Sequence, residues 1–120
     1  MAAQGTGGFK RLIKATQFSC QGFKAAFKNE AAFRQEVFLS IVLIPLGYYL
    51  GNSAVERALL ISVVLLIPII ELINSGIEAI VDRVSTEKHE LSGRAKDVGS
   101  AAVLLSLINA VVVWALILFN

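Results

Sequence analysis

The run Glu71-Leu-Ile-Asn-Ser-Gly-Ile-Glu-Ala-Ile-Val-Asp82 sets three carboxylates and an amide at steps of three, four and four. Those steps place Glu71, Asn74, Glu78 and Asp82 on one face of an α-helix. The residues before them, Ala58 to Ile70, carry no charge. Acids that extend such an apolar run are expensive: a charge at mid-bilayer costs about 2.5–3.5 kcal/mol on insertion scales, so the default reading is functional. The alternative is a polar seam between helices, but seams are better made with Asn or Ser than with three acids. Glu78 and Asp82, nearest the aqueous edge, could hold a hard cation through oxygen ligands. Glu71, deeper and less solvated, is the candidate general base. Glu30, in Asn29-Glu30-Ala31-Ala32-Phe33-Arg34-Gln35-Glu36, is expected at the same level and could complete a cation site with Glu78.

A second polar stretch, Ser85 to Asp97 (STEKHELSGRAKD), is rich in hydrogen-bond donors. His89, Arg94 and Lys96 suit phosphate contacts, and Glu87, Glu90 and Asp97 suit a ribose hydroxyl or a metal. Neither GxxxxGK[ST] nor GxGxxG occurs, so P-loop and Rossmann nucleotide sites are excluded. Any nucleotide must be held by side chains from several helices.

The elements that position these groups read as membrane helices. Residues 31–50 form a first span ending in Val37 to Leu50, residues 54–84 a second whose inner end is polar, and residues 98–119 a third without a charge. About 20 apolar residues suffice to cross a bilayer. Residues 85–97 are expected to be a loop. Residues 9–28 form an amphipathic helix, with Phe9, Leu12, Ile13, Cys20, Phe23 and Phe27 in one stripe and Lys10, Arg11 and Lys14 pointing away. A basic helix with aromatic anchors belongs in the membrane interface. Phe18 projects opposite the stripe, either packed on a neighbour or offering an aromatic face to a planar ligand. Pro45 and Pro68 fall inside spans, where neighbouring helices can satisfy the freed carbonyls.

Of 11 Lys and Arg residues only Arg57 lies in the short turn after the first span, and none follows the third. The positive-inside rule then puts the N-terminus and the 85–97 segment in the cytoplasm and the C-terminus outside. Composition agrees: 56% of the 120 residues are apolar and 17% are charged, against roughly 25% charged in soluble domains. A soluble fold of this size cannot hide so much apolar surface. One cysteine excludes an internal disulfide framework and CxxC-type zinc sites. A net charge of +2 makes no case for nucleic acid.

Glu30-Ala-Ala-Phe-Arg-Gln-Glu36, Glu71-Leu-Ile-Asn-Ser-Gly-Ile-Glu-Ala-Ile-Val-Asp-Arg83 and His89-Glu-Leu-Ser-Gly-Arg-Ala-Lys-Asp97 together closely resemble the bacterial integral-membrane diacylglycerol kinase family. The likeness runs from about Gly8 to Trp114. It implies an all-α integral membrane protein with three transmembrane helices plus an N-terminal amphipathic surface helix, assembled as a homotrimer in the bacterial inner membrane. It also implies MgATP-dependent phosphorylation of diacylglycerol to phosphatidic acid at the cytoplasmic face. Active sites in the family are shared between subunits, which would put the Glu30 and Glu71 motifs of one site on different chains. By motif, Glu71 resembles the catalytic base acting on the lipid's primary hydroxyl, with Asn74 beside it in the substrate set. Glu30 and Glu78 resemble the magnesium ligands that contact ATP through the ion. Arg11, Glu87, His89, Lys96 and Asp97 match nucleotide-contacting positions, and Arg34, Gln35, Glu36 and Ser100 match positions lining the lipid site. Phe18 stands where the family has a tyrosine beside the nucleotide, and Lys88 occupies a nucleotide-loop position often aromatic. Trp114, near the outer end of the third span, suits an aromatic-belt anchor.

Two other functions fit parts of the pattern. A kinase of the same fold acting on undecaprenol would use the same catalytic residues. A small proton-coupled transporter would use Glu71 as its proton carrier, but against it stand three spans instead of four and several acids clustered at one rim.

Overall fold

A computed structural model describes residues 7–84 and 89–120. Four helices follow one another: α1 (Gly8–Asn29), α2 (Ala31–Leu50), α3 (Ala54–Val84) and α4 (Glu90–Leu118). The last three are long and apolar enough to cross a membrane. α3 is central, packing along α2 on one side and α4 on the other, while α1 meets α2 more lightly. At 1.5 Å per residue α3 is about 46 Å long, well beyond the roughly 30 Å of bilayer hydrocarbon. Glu71 falls about 26 Å along it from Ala54, close to where the hydrocarbon must end if Ala54 starts at the far face. The position of the acids is thus a consequence of helix length.

The core is narrow. Leu60, Val64, Ile67 and Pro68 of α3 are buried, with Val63 and Ala110 beside them. Gly47 of α2 lets that helix close on Leu60 and Trp114: a Cβ there would lie 3.1 Å from the Leu60 Cβ and 3.3 Å from the indole. Trp114 Nε1 donates to the Leu60 carbonyl at 3.1 Å, tying α4 to α3. Elsewhere large apolar side chains such as Phe38, Ile41, Leu105 and Val111 are exposed. In water that much contiguous apolar surface would drive association; against lipid tails it is satisfied.

Polar groups close the ends. Ser53 Oγ accepts from the Glu56 N–H at 3.1 Å, and Glu56 Oε1 accepts from the Asn52 N–H at 2.9 Å, a reciprocal arrangement that satisfies free amides at the start of α3. Arg57 Nε donates to the Tyr48 carbonyl at 2.9 Å and its guanidinium stacks on the Tyr48 ring. α4 corrects one expectation. The polar segment read as loop over 85–97 is helical from Glu90 onward, with His89 as its N-cap: His89 Nδ1 accepts from the Leu91 N–H at 3.0 Å. A polar sequence marks exposure to water, and an exposed helix turn meets that description as well as a loop does.

Candidate active site

The chain interrupts its helical path between α1 and α2 at Glu30, whose backbone is extended (φ −120°, ψ 107°). Two interactions hold the break. The Glu30 N–H donates to the Ala26 carbonyl at 2.8 Å. Arg34 Nη1 reaches back to the carbonyls of Phe27 and Lys28 at 2.7 and 3.1 Å. These are carbonyls that a helix end leaves without intrahelical partners, and a cation is favoured there. Arg34, matched from the sequence to the lipid site, thus spends its guanidinium on the backbone of α1.

The break carries Glu30 against α3. Ser75 Oγ donates to Glu30 Oε1 at 2.9 Å, and the Glu78 carboxylate is near enough to Glu30 for their charges to act on each other. Glu30, Ser75, Glu78 and Asp82 line one cleft of about 740 Å³ between α1 and α3, walled by Phe23 and Leu72. Lys96 crosses from α4 to pair with Asp82, Nζ to Oδ1, at 2.7 Å. That pair is partly exposed, so its value lies in holding a cation near the acids more than in stability.

Further along α3 from water, Glu71 and Asn74 are buried, at 5% and 8% exposure. Asn74 Nδ2 donates to Glu71 Oε2 at 3.3 Å. An ionised carboxylate can only accept, so the amide presents the group that a charged Glu71 needs. Asn74 Oδ1 is buried and has no hydrogen-bond donor among the described residues; it faces Gly99 of α4. Glu36, half-buried on α2, is near enough to Glu71 for the two charges to repel, and its Oε1 is likewise buried without a donor. Two unfilled acceptors beside a buried carboxylate suit a ligand that brings a hydroxyl.

The remaining candidates are more scattered. Gln35, Asp97 and Ser100 are exposed on α2 and α4. Arg11 and Phe18 are exposed on α1 and do not line the cleft, although Ser19 and Gly22 do. Glu87 and Lys88 lie outside the described residues. Two contributors escaped the sequence reading. Ser75 carried a signal, since it follows Glu71 by four residues and precedes Glu78 by three, which puts it on the acid face. Gly99 carried none that periodicity could detect.

Among the described residues no three His, Cys, Asp or Glu side chains are grouped as a metal cage. Two opposed carboxylates nevertheless fit magnesium, which is commonly held by one or two protein carboxylates with water and substrate phosphates completing the shell. Without a cation or a shared proton, the Glu30–Glu78 contact is repulsive.

Comparisons with known proteins agree with one another. The sequence profile of the family described as prokaryotic diacylglycerol kinase matches residues 17–118. The chain is 54% identical to a diacylglycerol kinase of Haemophilus influenzae over 114 residues, covering 95% of this chain and 97% of the relative. It is 56% identical to one of Pseudomonas aeruginosa over 117 residues (98% and 95%) and 51% identical to one of Escherichia coli over 118 residues (98% and 97%). The chain is therefore an enzyme that belongs to the prokaryotic diacylglycerol kinase family.

Proposed function

We propose that this lipid kinase moves the γ-phosphoryl group of ATP to the primary hydroxyl of diacylglycerol, giving phosphatidic acid and ADP, with Glu71 as the base. The observation that carries the reading is the buried Glu71–Asn74 pair two turns along α3 from the Glu30–Glu78 pair. Seven residues of helix separate Glu71 from Glu78 by about 10 Å. That leaves room in line for a hydroxyl oxygen, the transferred phosphorus and a cation-bound phosphate oxygen.

Phosphoryl transfer asks little covalent work of a protein; positioning and charge neutralisation dominate. Glu71 takes the hydroxyl proton as the lipid oxygen bonds to phosphorus and the bond to ADP breaks. The Asn74 amide steadies the carboxylate that does so. Glu30 and Glu78 would hold Mg2+, which supplies charge neutralisation to the phosphates when bound. Lys96, Asp97, His89, Arg11 and Phe18, with Glu87 and Lys88, form the nucleotide set, and Gln35, Glu36 and Ser100 the lipid set. Arg34 serves that site by fixing the break that carries Glu30. The concentration of Lys and Arg before the first span and between the second and third supports a cytoplasmic face for the site, in a bacterial inner membrane, with the C-terminus outside. The enzyme is a homotrimer in this reading.

The test is transfer of labelled phosphate from ATP in mixed micelles. Label enters lipid only when diacylglycerol and Mg2+ are both present, and chelation stops it. Transfer to undecaprenol in preference to diacylglycerol would reassign the substrate. ATP hydrolysis indifferent to any lipid alcohol would refute the reading.

A further inference from the structure

Glycine weakens the interior of a helix relative to alanine, because it has more backbone freedom to lose. α4 nevertheless carries Gly99 well inside its length, and the residue is buried. The reason is its neighbour. A Cβ added at Gly99 would collide with Oδ1 of Asn74 and come within 3.0 Å of its Cγ. Gly93, earlier in the same helix, would meet nothing within 4 Å. The obstacle at Gly99 is the far end of a side chain that can rotate, so the backbone need not move to relieve the collision. The Asn74 amide would swing instead. That amide is the group whose Nδ2 donates to Glu71 Oε2, so the swing would release the carboxylate.

We propose that Gly99 is a positioning residue of the active site, whose missing side chain leaves the space in which Asn74 can hold Glu71. The proposal rests on Glu71 acting as the base. Gly99 touches no substrate and acts only through Asn74. Enlarging it should therefore lower kcat and spare the KM for ATP, since neither the nucleotide set nor the magnesium pair is disturbed. Because the displaced group is mobile, the enlarged variant should still fold.

The experiment is a double-mutant cycle on the full-length enzyme with G99A, N74A and N74A/G99A, reading kcat, KM for ATP, KM for lipid and thermal midpoint. G99A should lower kcat about tenfold or more, as small misplacements of catalytic groups do, with the KM for ATP within about twofold of wild type. Added to N74A, it should lower kcat no further. The midpoint supplies an independent reading. With Asn74 removed, G99A should raise it, because alanine is the better helix former; with Asn74 present the change should be smaller or opposite in sign.

A G99A enzyme within about twofold of wild-type kcat would overturn the proposal. So would an equal loss in both backgrounds, or an equal midpoint change in both where N74A turns over too slowly for the kinetic cycle. A G99A protein that fails to fold, and that N74A does not restore, would overturn it as well. E71Q measured alongside separates the two claims. An active E71Q would sink the base assignment, while coupling of Gly99 to Asn74 would still be read from the midpoints.

Discussion

In the function proposed above, Glu71 is the residue on which the chemistry turns. Glu71→Gln keeps its shape and an acceptor for the Asn74 amide but loses the ability to take a proton. The variant should fold as the wild type does and lose about 10²–10⁴-fold in kcat, the range a positioned base contributes. Retention of more than about a tenth of wild-type turnover would fall outside that range and end the base assignment. Glu30 and Glu78 should behave differently. Both line one cleft, so in the proposed site removing either leaves one ligand for the ion. Glu30→Ala and Glu78→Ala should each shift the magnesium titration of activity to higher concentration. A titration that superimposes on the wild type for either variant would detach that residue from the metal. At this scale the sequence spoke clearly where periodicity carried the signal. Glu71, Asn74 and Glu78 share a face because of their spacing, and the two ends of that face became a buried carboxylate–amide pair and a cleft. Gly99 was silent because its role is an absence of atoms, which acquires meaning only when Asn74 of another helix fills the gap.

Among the elements, the break at Glu30 matters most. One extended residue between α1 and α2 sends α1 off the line of the span and brings Glu30 to Ser75. Arg34 fixes the break with two bonds to carbonyls of α1. Arg34→Gln should therefore loosen Glu30 rather than remove a lipid contact. Hydrogen bonds to charged groups contribute about 1.5–3 kcal/mol each, and exposure puts these at the low end. The expected signature is a higher KM for ATP and a magnesium titration shifted to higher concentration, with the KM for lipid unchanged; a rise in the lipid KM alone would return Arg34 to the lipid site. Lys should rescue poorly, since a point charge cannot reach two carbonyls in a fixed fork. The long apolar runs announced α2, α3 and α4. The first turns of α4 were hidden, because Glu90 to Asp97 are polar and polarity was read as loop. His89 Nδ1 on the Leu91 amide is the detail that starts the helix there, and nothing in the composition of the segment distinguishes a cap from a solvated histidine.

At the scale of the assembly, family resemblance implies that Glu30 and Glu71 of one site sit on different subunits, while the packing within one chain supports a second arrangement. Glu30 is bonded to Ser75 of its own α3, beside its own Glu78, and the charge of Glu71 acts on that same Glu78. In the function proposed above, base and magnesium ligands would then come from one chain. Arg11 and Phe18, by contrast, are exposed on α1 and do not line that chain's cleft. If they contact nucleotide, a neighbouring subunit's site is the natural place. If the enzyme is the homotrimer proposed above, mixed assemblies separate the two arrangements. Glu30→Ala and Glu71→Gln subunits, unfolded together and reassembled at random, should stay inactive, because every site inherits one lesion. Arg11→Ala and Glu71→Gln subunits should recover activity above the level of either alone, because an intact α3 from one chain can then meet an intact α1 from the next. Recovery in the first mixture would place Glu30 in trans and contradict the packing of the α1–α2 break on α3. Failure of the second, in mixtures shown to exchange subunits, would confine the whole site, Arg11 included, to one chain.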